Sequence, residues 1–391
     1  MINRYFPLEE YQTRWQRTHE AMRAQGLEVA VVWSRSAGTY DRCADLLYLA
    51  NYYGNQPGQG RRGPAGFAAL VMRRDEPPEL FADVQDPRRE LLATDRVHAC
   101  DNTFEAVAQH MRGLEGQRVG LVGSDTIPMK YWSFLRERTA HLEWVIADEL
   151  VREVRLLKSA RELDAFRQAG ATVSAALTAT MKTLAGGGSE AEAAAAGGAI
   201  VLQGGGHVHM LAVSHGPYLR HLASDPLVGF SRIRPQTGDL ARAWITGPMF
   251  QGYWLGPGRT VVCGATPNPE QRALLAATAA AVDAVVATIR SGVTVRKLVE
   301  TADRHVQAFG GEPSELARQW PVFGHGNGLF FEAPTISTRV GNDADFLLRA
   351  NMVVSIEVFL SRAGVGEAGF ENNVIVTDTG TELLSRTPML L

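Results

Sequence analysis

The first 150 residues alternate between helical and strand-like spacing of apolar side chains. Tyr11 to Gln25 has helical spacing, and Gly26 ends it. Four later segments have the pattern of short strands: residues 29–33, 66–72, 98–102 and 118–123. A helical segment begins near Phe104. This alternation predicts a small α/β domain.

A charged amphipathic segment, VREVRLLKSARELDAFRQAG, follows at residues 151–170. Leu156, Leu163, Phe166 and Ala169 fall on one helical face. Ser159 followed by Glu162 predicts a capping box at the start of a helix. We therefore place the domain boundary just before it, which gives an N-terminal domain at residues 1–152 and a C-terminal domain at residues 153–391.

Helices come before strands in the second part of the chain. A long helix is expected up to Gly186, and an alanine-rich helix at residues 190–202. A strand-rich region at 207–264 is followed by helices at 267–291 and 295–309, and by strands at 321–332, 352–361 and 369–377. The whole chain is therefore expected to be of the α+β class.

Composition narrows the class of protein. The chain has 391 residues, 45% of them apolar and 21% charged, with a formal net charge of −3, which favours neither nucleic acid nor a membrane as partner. The N-terminus has no apolar signal-peptide region. The low-charge stretch ALLAATAAAVDAVVATI is interrupted by Asp283 and predicts a packed helix. Three scattered cysteines indicate reduced thiols, so we expect a cytoplasmic protein.

Candidate chemistry lies in the last third of the chain. His325 stands in GHGNG, where three glycines let the backbone approach a ligand closely. Glu357 interrupts the apolar run MVVSIEVFL, and Glu371 precedes NNVIV. A carboxylate inside a buried strand costs several kcal/mol unless it is paired, hydrogen-bonded or metal-bound. Two such acids after a glycine-framed histidine predict a catalytic site containing these three residues.

Several motifs occur together in a familiar order: Lys158-Ser159 at a helix start, the turn Gly238-Asp239-Leu240, GYxxxxxRT at 252–260, GHGxG, and the two strand glutamates. With them the chain resembles the pita-bread superfamily (peptidase family M24), which includes aminopeptidase P, prolidase, methionine aminopeptidase and creatinase. The resemblance covers nearly the whole chain. It implies an N-terminal α/β creatinase-like domain followed by a C-terminal pita-bread domain, an antiparallel sheet covered by helices.

The departures from the family pattern bear on metal binding. In the peptidase branch, His325, Glu357 and Glu371 would be three of five ligands of a dinuclear metal site. The two remaining ligands would be aspartates, but Trp244 and Gly256 stand at those positions. We therefore expect no metal and no other cofactor, although a weak mononuclear site stays open. Trp244 is expected to line the substrate pocket instead.

Creatinase and ectoine hydrolase are the family members that work without metal, and Pro248-Met249 and Arg259-Thr260 match creatinase locally. The match is incomplete, because Gly258 replaces the glutamate that grips guanidinium. Glu332 replaces a second histidine and is expected to contact the substrate.

The resemblance also places a catalytic histidine in the loop before the Gly-Asp-Leu turn. Three histidines stand there: His209, His215 and His221. We select His221, because HLASDP is similar to the family's His-then-Pro stretch. An imidazole titrates near neutrality and can shuttle the proton.

Substrate contacts are expected from both domains. In creatinase-like homodimers an N-domain loop reaches the partner's active site, and Arg61 or Arg62 in PGQGRRGP would bind a substrate carboxylate there. Arg339 is a second candidate for the same role, and Tyr253 of the Gly252-Tyr253 pair is expected at the substrate.

Three functions follow from these expectations. The first is a metal-independent, creatinase-like hydrolase that cleaves a C–N bond in a small zwitterionic or amidine-like metabolite. The second is a metal-dependent Xaa-Pro aminopeptidase or prolidase-like peptidase. The third is a non-catalytic binding protein. Our main prediction is the first, with a small-molecule substrate and a homodimer.

Overall fold

The computed structural model describes residues 4–35, 42–54, 66–83, 88–224, 229–310, 314–337, 339, 341 and 343–388. The chain forms two compact units, Met1–Arg155 and Leu156–Leu391. The division falls three residues after the expected boundary at 152, because a helix at Glu149–Arg155 belongs whole to the first unit.

The first unit is a mixed α/β layer structure. Its helices are α1 (Leu8–Ala24), α2 (Ala44–Ala50), α3 (Thr103–His110), α4 (Met129–Arg138) and α5 (Glu149–Arg155), with short 3-10 turns at Arg89–Leu91 and Ser124–Thr126. Its strands are β1 (Val29–Arg35), β2 (Phe67–Arg73), β3 (Glu79–Ala82), β4 (Val97–Ala99), β5 (Arg118–Val122) and β6 (Glu143–Ile146). They form one sheet in the order β4-β3-β2-β1-β5-β6.

The second unit begins with helices and continues with an antiparallel sheet. Its helices are α6 (Ala160–Ala185), α7 (Glu190–Gln203), α8 (Pro269–Thr288), α9 (Val295–Phe309) and α10 (Glu315–Gln319), with a 3-10 turn at Gly216–Tyr218. Its strands are β7 (Met210–His215), β8 (Leu240–Phe250), β9 (Tyr253–Leu255), β10 (Gly258–Val262), β11 (Gly324–Asn327), β12 (Phe331–Thr335), β13 (Val353–Arg362), β14 (Gly366–Val376) and β15 (Thr381–Leu383). The α+β prediction is confirmed.

The sheet order fixes which strands can share a site. It runs β12-β11-β13-β14-β10-β8-β7, with β15 beside β14 and β9 beside β8. The strand predicted at 321–332 is in fact two strands, β11 and the start of β12, because the chain turns back at residues 328–330 and the two strands pair antiparallel. The histidine strand β11 pairs with the first glutamate strand β13, which pairs with the second, β14.

The start of α6 has the predicted capping box. The Ser159 side chain accepts a hydrogen bond from the Glu162 backbone N–H, and the Glu162 carboxylate accepts one from the Ser159 N–H. Two backbone N–H groups at this helix end are thereby satisfied. The same device starts α7 at Ser189 and Glu192.

Alternation along β13 separates the core from the site. Ile356, Val358 and Leu360 belong to the buried apolar cluster that α8 also supplies, so the intervening residues Glu357 and Phe359 face the other way. Within the described residues, α8 is the helix that is long and apolar enough to cross a membrane. A helix in the core of a protein can meet the same criteria of length and apolarity. Residues of α8 belong to the buried apolar cluster, which agrees with the packed helix predicted from the sequence.

Candidate active site

Four residues on adjacent strands form one row across the sheet. Trp244 on β8 is the register partner of Gly258 on β10, and Gly258 is in turn the partner of Glu371 on β14. Glu371 lies opposite Glu357 on β13. Directly opposed residues on one face have Cβ atoms about 5 Å apart. The two glutamates predicted from sequence therefore lie side by side.

The indole of Trp244 extends across β10 to the acidic pair. Its Nε1 donates a 2.6 Å hydrogen bond to Oε2 of Glu371, two strands away. The ring passes over Gly258, where an added Cβ would lie 1.9 Å from Trp244 Cε2, and its far edge meets Gly369, where a Cβ would lie 2.7 Å away. Phe359 packs on the same ring at 5.3 Å between centroids. The two glycines make room for the indole, which is 4% exposed.

A second indole bonds to the other carboxyl. Trp320, the C-terminal cap of α10, donates from Nε1 to Oε1 of Glu357 at 2.7 Å. Trp320 itself is 43% exposed, whereas Glu357 is 4% exposed. Each buried carboxyl thus has an indole N–H as a hydrogen-bond partner, which offsets part of the cost of burial.

Burial dominates the protonation of the pair. It raises the pKa of Glu357 to about 7, and the bond from Trp320 opposes this rise. Burial also raises the pKa of Glu371 well above its usual value, and the neighbouring Glu357 raises it further. Two carboxyls this close do not both ionise readily. Asn373, 3.2 Å from Glu371 Oε1, adds a donor on the same strand.

His325 lies on β11, next to Ser355 of β13 in register. Its Nδ1 is 3.0 Å from the carbonyl oxygen of Gly326, which can only accept, so Nδ1 carries the proton and Nε2 is the acceptor. The ring packs against Phe331, with 4.2 Å between centroids. Burial lowers the pKa of His325 to about 4, so the imidazole is neutral at pH 7.

The predicted base lies elsewhere on the surface. His221 is exposed, and Arg220 donates to its Nε2 at 3.2 Å. Among the described residues, no hydrogen bond joins it to either glutamate of the pair. His215 is buried with its Nδ1 2.6 Å from Glu190, and His209 packs against Trp254. Among the described residues, the hydrogen bonds of His215 and His221 are made with other groups, and the assignment of His221 as base stays a prediction.

Two residues expected at the substrate, Tyr253 and Glu332, have partners within the protein. Tyr253 is 1% exposed and its hydroxyl donates to Glu162 at 2.8 Å, so it is a core residue that supports the capping box. Glu332 accepts a 2.5 Å ion-paired hydrogen bond from Lys158, and both side chains are 2% exposed. This carboxylate balances a buried lysine, and its contact with a substrate stays a prediction.

The remaining residues predicted to contact the substrate lie in different places. Arg61 and Arg62 lie outside the described residues. Arg339 is exposed at the rim of a cleft that Trp320 and Phe359 also line. Trp244 was expected to line a substrate pocket. In the structure its side chain is buried and occupies the space beside Glu371, to which it donates a hydrogen bond.

Sequence reasoning missed two partners of the acids. Asn373 stands two residues after Glu371, and the period of two along a strand predicts that both side chains share a face. No sequence pattern predicted the contact of Trp320 with Glu357. Trp320 follows a five-residue helix, and only the tertiary fold brings it to Glu357.

The residues present do not fit the two-metal centre that the resemblance implies. The indole of Trp244 lies beside Glu371, and both carboxyls already bond to indole N–H groups at 2.6 and 2.7 Å. Within the described part of the chain, no group of three or more His, Cys, Asp or Glu side chains is arranged to hold a metal ion.

Known proteins resemble the chain over both units. Probable dipeptidase PepE of Mycobacterium tuberculosis is 31% identical over 277 residues, 70% of each chain. The Xaa-Pro dipeptidase of Pyrococcus horikoshii is 25% identical over 73% of this chain and 78% of its own length. These names overturn the prediction of a creatinase-like hydrolase of non-peptide C–N bonds, because the relatives act on dipeptides.

Solved structures agree on the fold. Dipeptidase PepE from Mycobacterium ulcerans superposes with a TM-score of 0.76 at 27% identity, over 99% of this chain and 98% of that one. Aminopeptidase P from E. coli gives 0.78 at 18% identity, over 98% and 96% of the two chains. The creatinase/prolidase N-terminal domain matches residues 14–157, and metallopeptidase family M24 matches residues 164–378. The chain belongs to metallopeptidase family M24, with the pita-bread fold.

Proposed function

We propose that this chain hydrolyses the peptide bond of small dipeptides. The observation that carries the proposal is the buried pair Glu357 and Glu371, register partners on β13 and β14, beside the strand of His325. The relatives named dipeptidase PepE and Xaa-Pro dipeptidase support dipeptides as the substrate class.

The residues of the pair supply proton transfer in this proposal. Water adds to the amide carbonyl carbon, the C–N bond breaks, and the leaving nitrogen gains a proton. A carboxylate of the pair accepts the proton of the attacking water and returns it to the leaving amine. The indoles of Trp244 and Trp320 hold the two carboxyls in place. No step is assigned to a metal, because the residues do not fit a metal pair.

Dipeptide hydrolysis is tested with a panel of Xaa-Pro and non-prolyl dipeptides, with released amino acids measured by mass spectrometry. Each reaction is run with added Mn²⁺ and with a chelator. Wild-type chain is expected to release amino acids, and Glu357→Gln to lose at least 100-fold of the rate. If no dipeptide yields amino acids under either condition, peptide hydrolysis is wrong.

A second candidate is dipeptide binding without hydrolysis. The observation that favours it is the Trp244 ring, which is held over Gly258 and Gly369 in the space beside Glu371. Titration calorimetry with the same dipeptides tests it. Binding by wild-type chain that releases no amino acids supports this candidate, and measured turnover excludes it. A cytoplasmic homodimer remains a prediction for both candidates.

A further inference from the structure

A row of three buried polar side chains borders the acidic pair on the sheet. Ser355 on β13 and Asn373 on β14 are register partners, and each lies two positions from a glutamate of the pair. Asn327 on β11, two positions after His325, supplies the third side chain. All three are at most 1% exposed. Because side chains two positions apart on a strand share a face, Ser355 and Asn373 lie on the face of the pair.

The Ser355 hydroxyl lies at the centre of this row. Its oxygen accepts a 2.7 Å hydrogen bond from Asn327 Nδ2 and a 2.6 Å hydrogen bond from Asn373 Nδ2. A hydroxyl has two acceptor positions and one hydrogen. Because two amide N–H groups occupy both acceptor positions, the hydrogen of Ser355 is left to donate. Its acceptor is the carboxyl of Glu371, to which the Ser355 side chain is hydrogen-bonded.

The row supplies two of the donors that hold the Glu371 carboxyl. Asn373 Nδ2 lies 3.2 Å from Oε1, and the Ser355 hydroxyl adds a second bond, beside the one from Trp244. Burial raises the pKa of Glu371, and these hydrogen bonds lower it. Linked hydrogen bonds in a buried network strengthen one another. The Asn327 amide therefore contributes to the bond at Glu371 although it donates to Ser355.

We infer that Asn327 is a positioning residue for Glu371 and acts through the Ser355 hydroxyl. Its N–H occupies an acceptor position of Ser355 and thereby directs the hydroxyl hydrogen to the carboxyl. Asn327 belongs to the GHGNG segment, which also carries His325. This segment thus orients the second glutamate of the pair by side-chain hydrogen bonds that cross β13.

The consequence for catalysis rests on the proposed function, whereas the orientation of Glu371 does not. A carboxyl that is held less firmly transfers protons more slowly. Asn327 is buried, and its amide donates to Ser355, so its loss should leave substrate binding intact. Asn327→Leu, which is close in size, is therefore expected to lower kcat for dipeptide hydrolysis about tenfold and to change KM by less than about twofold.

Titration of the carboxyl tests the inference without a substrate. Glu371 is followed by NMR on chains with isotope-labelled glutamate side chains, in a Glu357→Gln background that removes the neighbouring charge. Its signal is assigned by its loss in Glu371→Gln. A hydrogen bond donated to an ionised carboxyl lowers the pKa of that carboxyl. Asn327→Leu and Ser355→Ala are each expected to raise the pKa of Glu371, and Asn327→Leu should add little to Ser355→Ala.

Thr278→Val is the matched control for the loss of a buried hydrogen bond. Thr278 is buried in α8 and donates to the carbonyl oxygen of Leu274, so this variant should leave kcat and the pKa of Glu371 unchanged. Thermal melts confirm that each variant is folded, and Asn327→Ala replaces Asn327→Leu if the leucine variant does not fold.

Three results would overturn the inference. The first is an unchanged pKa of Glu371 in Asn327→Leu. The second is an equal effect of Asn327→Leu with and without the Ser355 hydroxyl. The third is a lower pKa, which would mean that the hydroxyl hydrogen points to Asn327 instead of the carboxyl.

The two measurements also separate this inference from the proposed function. If no dipeptide is cleaved but the pKa of Glu371 changes as expected, hydrolysis is wrong and the positioning role of Asn327 stands. If dipeptides are cleaved and Asn327→Leu leaves kcat unchanged, the positioning role is wrong and hydrolysis stands.

Discussion

Trp244 and Glu371 lie two strands apart in one row of the sheet, and the indole spans the strand between them to donate a 2.6 Å hydrogen bond. Gly258 is the intervening residue, and its missing side chain is what allows the ring to pass. In the sequence, Gly258 stands where creatinase has the glutamate that grips guanidinium. In the structure, the absence of a side chain at Gly258 leaves space for the Trp244 indole.

Gly258→Ala is expected to destabilise the chain. The new Cβ would lie 1.9 Å from Trp244 Cε2 in a buried strand, so either the indole ring or the backbone of β10 must shift. Overpacking of this kind costs about 3 kcal/mol, measured as a lower midpoint of urea unfolding. The cost should largely disappear in a Trp244→Ala background, where the ring is absent.

Gly198→Ala is the matched control for that substitution. Gly198 lies within α7, and an added Cβ there would meet no atom within 4 Å. Alanine should therefore stabilise the helix by about 0.5–1 kcal/mol. Equal losses at Gly258 and Gly198 would contradict the role given to the indole.

Lys158→Met is expected to cost about 3–5 kcal/mol of unfolding free energy, because it leaves the Glu332 carboxylate buried without its cation. The pair is 2.5 Å apart with side chains 2% exposed. The double variant Lys158→Met, Glu332→Gln should recover much of this loss in urea unfolding. Lys297→Met, which breaks an exposed pair with Glu300 at 4.0 Å, should change little.

The pH dependence of stability should reveal the buried carboxyl. The folded pKa of Glu357 is raised to about 7, above the unfolded value near 4.5, so the folded chain retains a proton that the unfolded chain has lost. Its contribution to stability is therefore present at low pH and falls as pH rises from about 4.5 to 7, by roughly 3 kcal/mol in total. Glu357→Gln should flatten this fall in thermal melts.

His325 should have the opposite effect. Its folded pKa is lowered to about 4 from 6.5, so the unfolded chain binds the proton first on acidification. Stability is lost as pH falls from about 6.5 to 4, and His325→Asn should reduce that loss. If both variants change the melting profile in the same direction, the assignment of the two groups is wrong.

Metal content is expected to be low. Both carboxyls bond to indoles, so purified chain should hold fewer than two transition-metal ions by elemental analysis, and a chelator should not lower its melting temperature. Trp244→Ala, which frees Glu371 while keeping His325 and Glu357, should bind Zn²⁺ at least tenfold more tightly. Two ions per wild-type chain would contradict the fit described above.

Much of the fold could be predicted from the sequence alone. Helical spacing, the capping signal at Ser159 and apolar strand runs are local properties, and they predicted the α+β class and most of the elements. The strand acids Glu357 and Glu371 were also identified locally, because a charge within an apolar run is visible without a structure.

Only the tertiary structure decided what each polar group meets. Tyr253 and Glu332 were expected at the substrate from their positions in the sequence, yet their partners, Glu162 and Lys158, are distant in sequence, and both side chains are buried. Trp320 reaches Glu357 across 37 positions of the chain. Sequence determines which segments form strands and which charges they carry. Side-chain partners depend on strand order and register, which long-range packing sets.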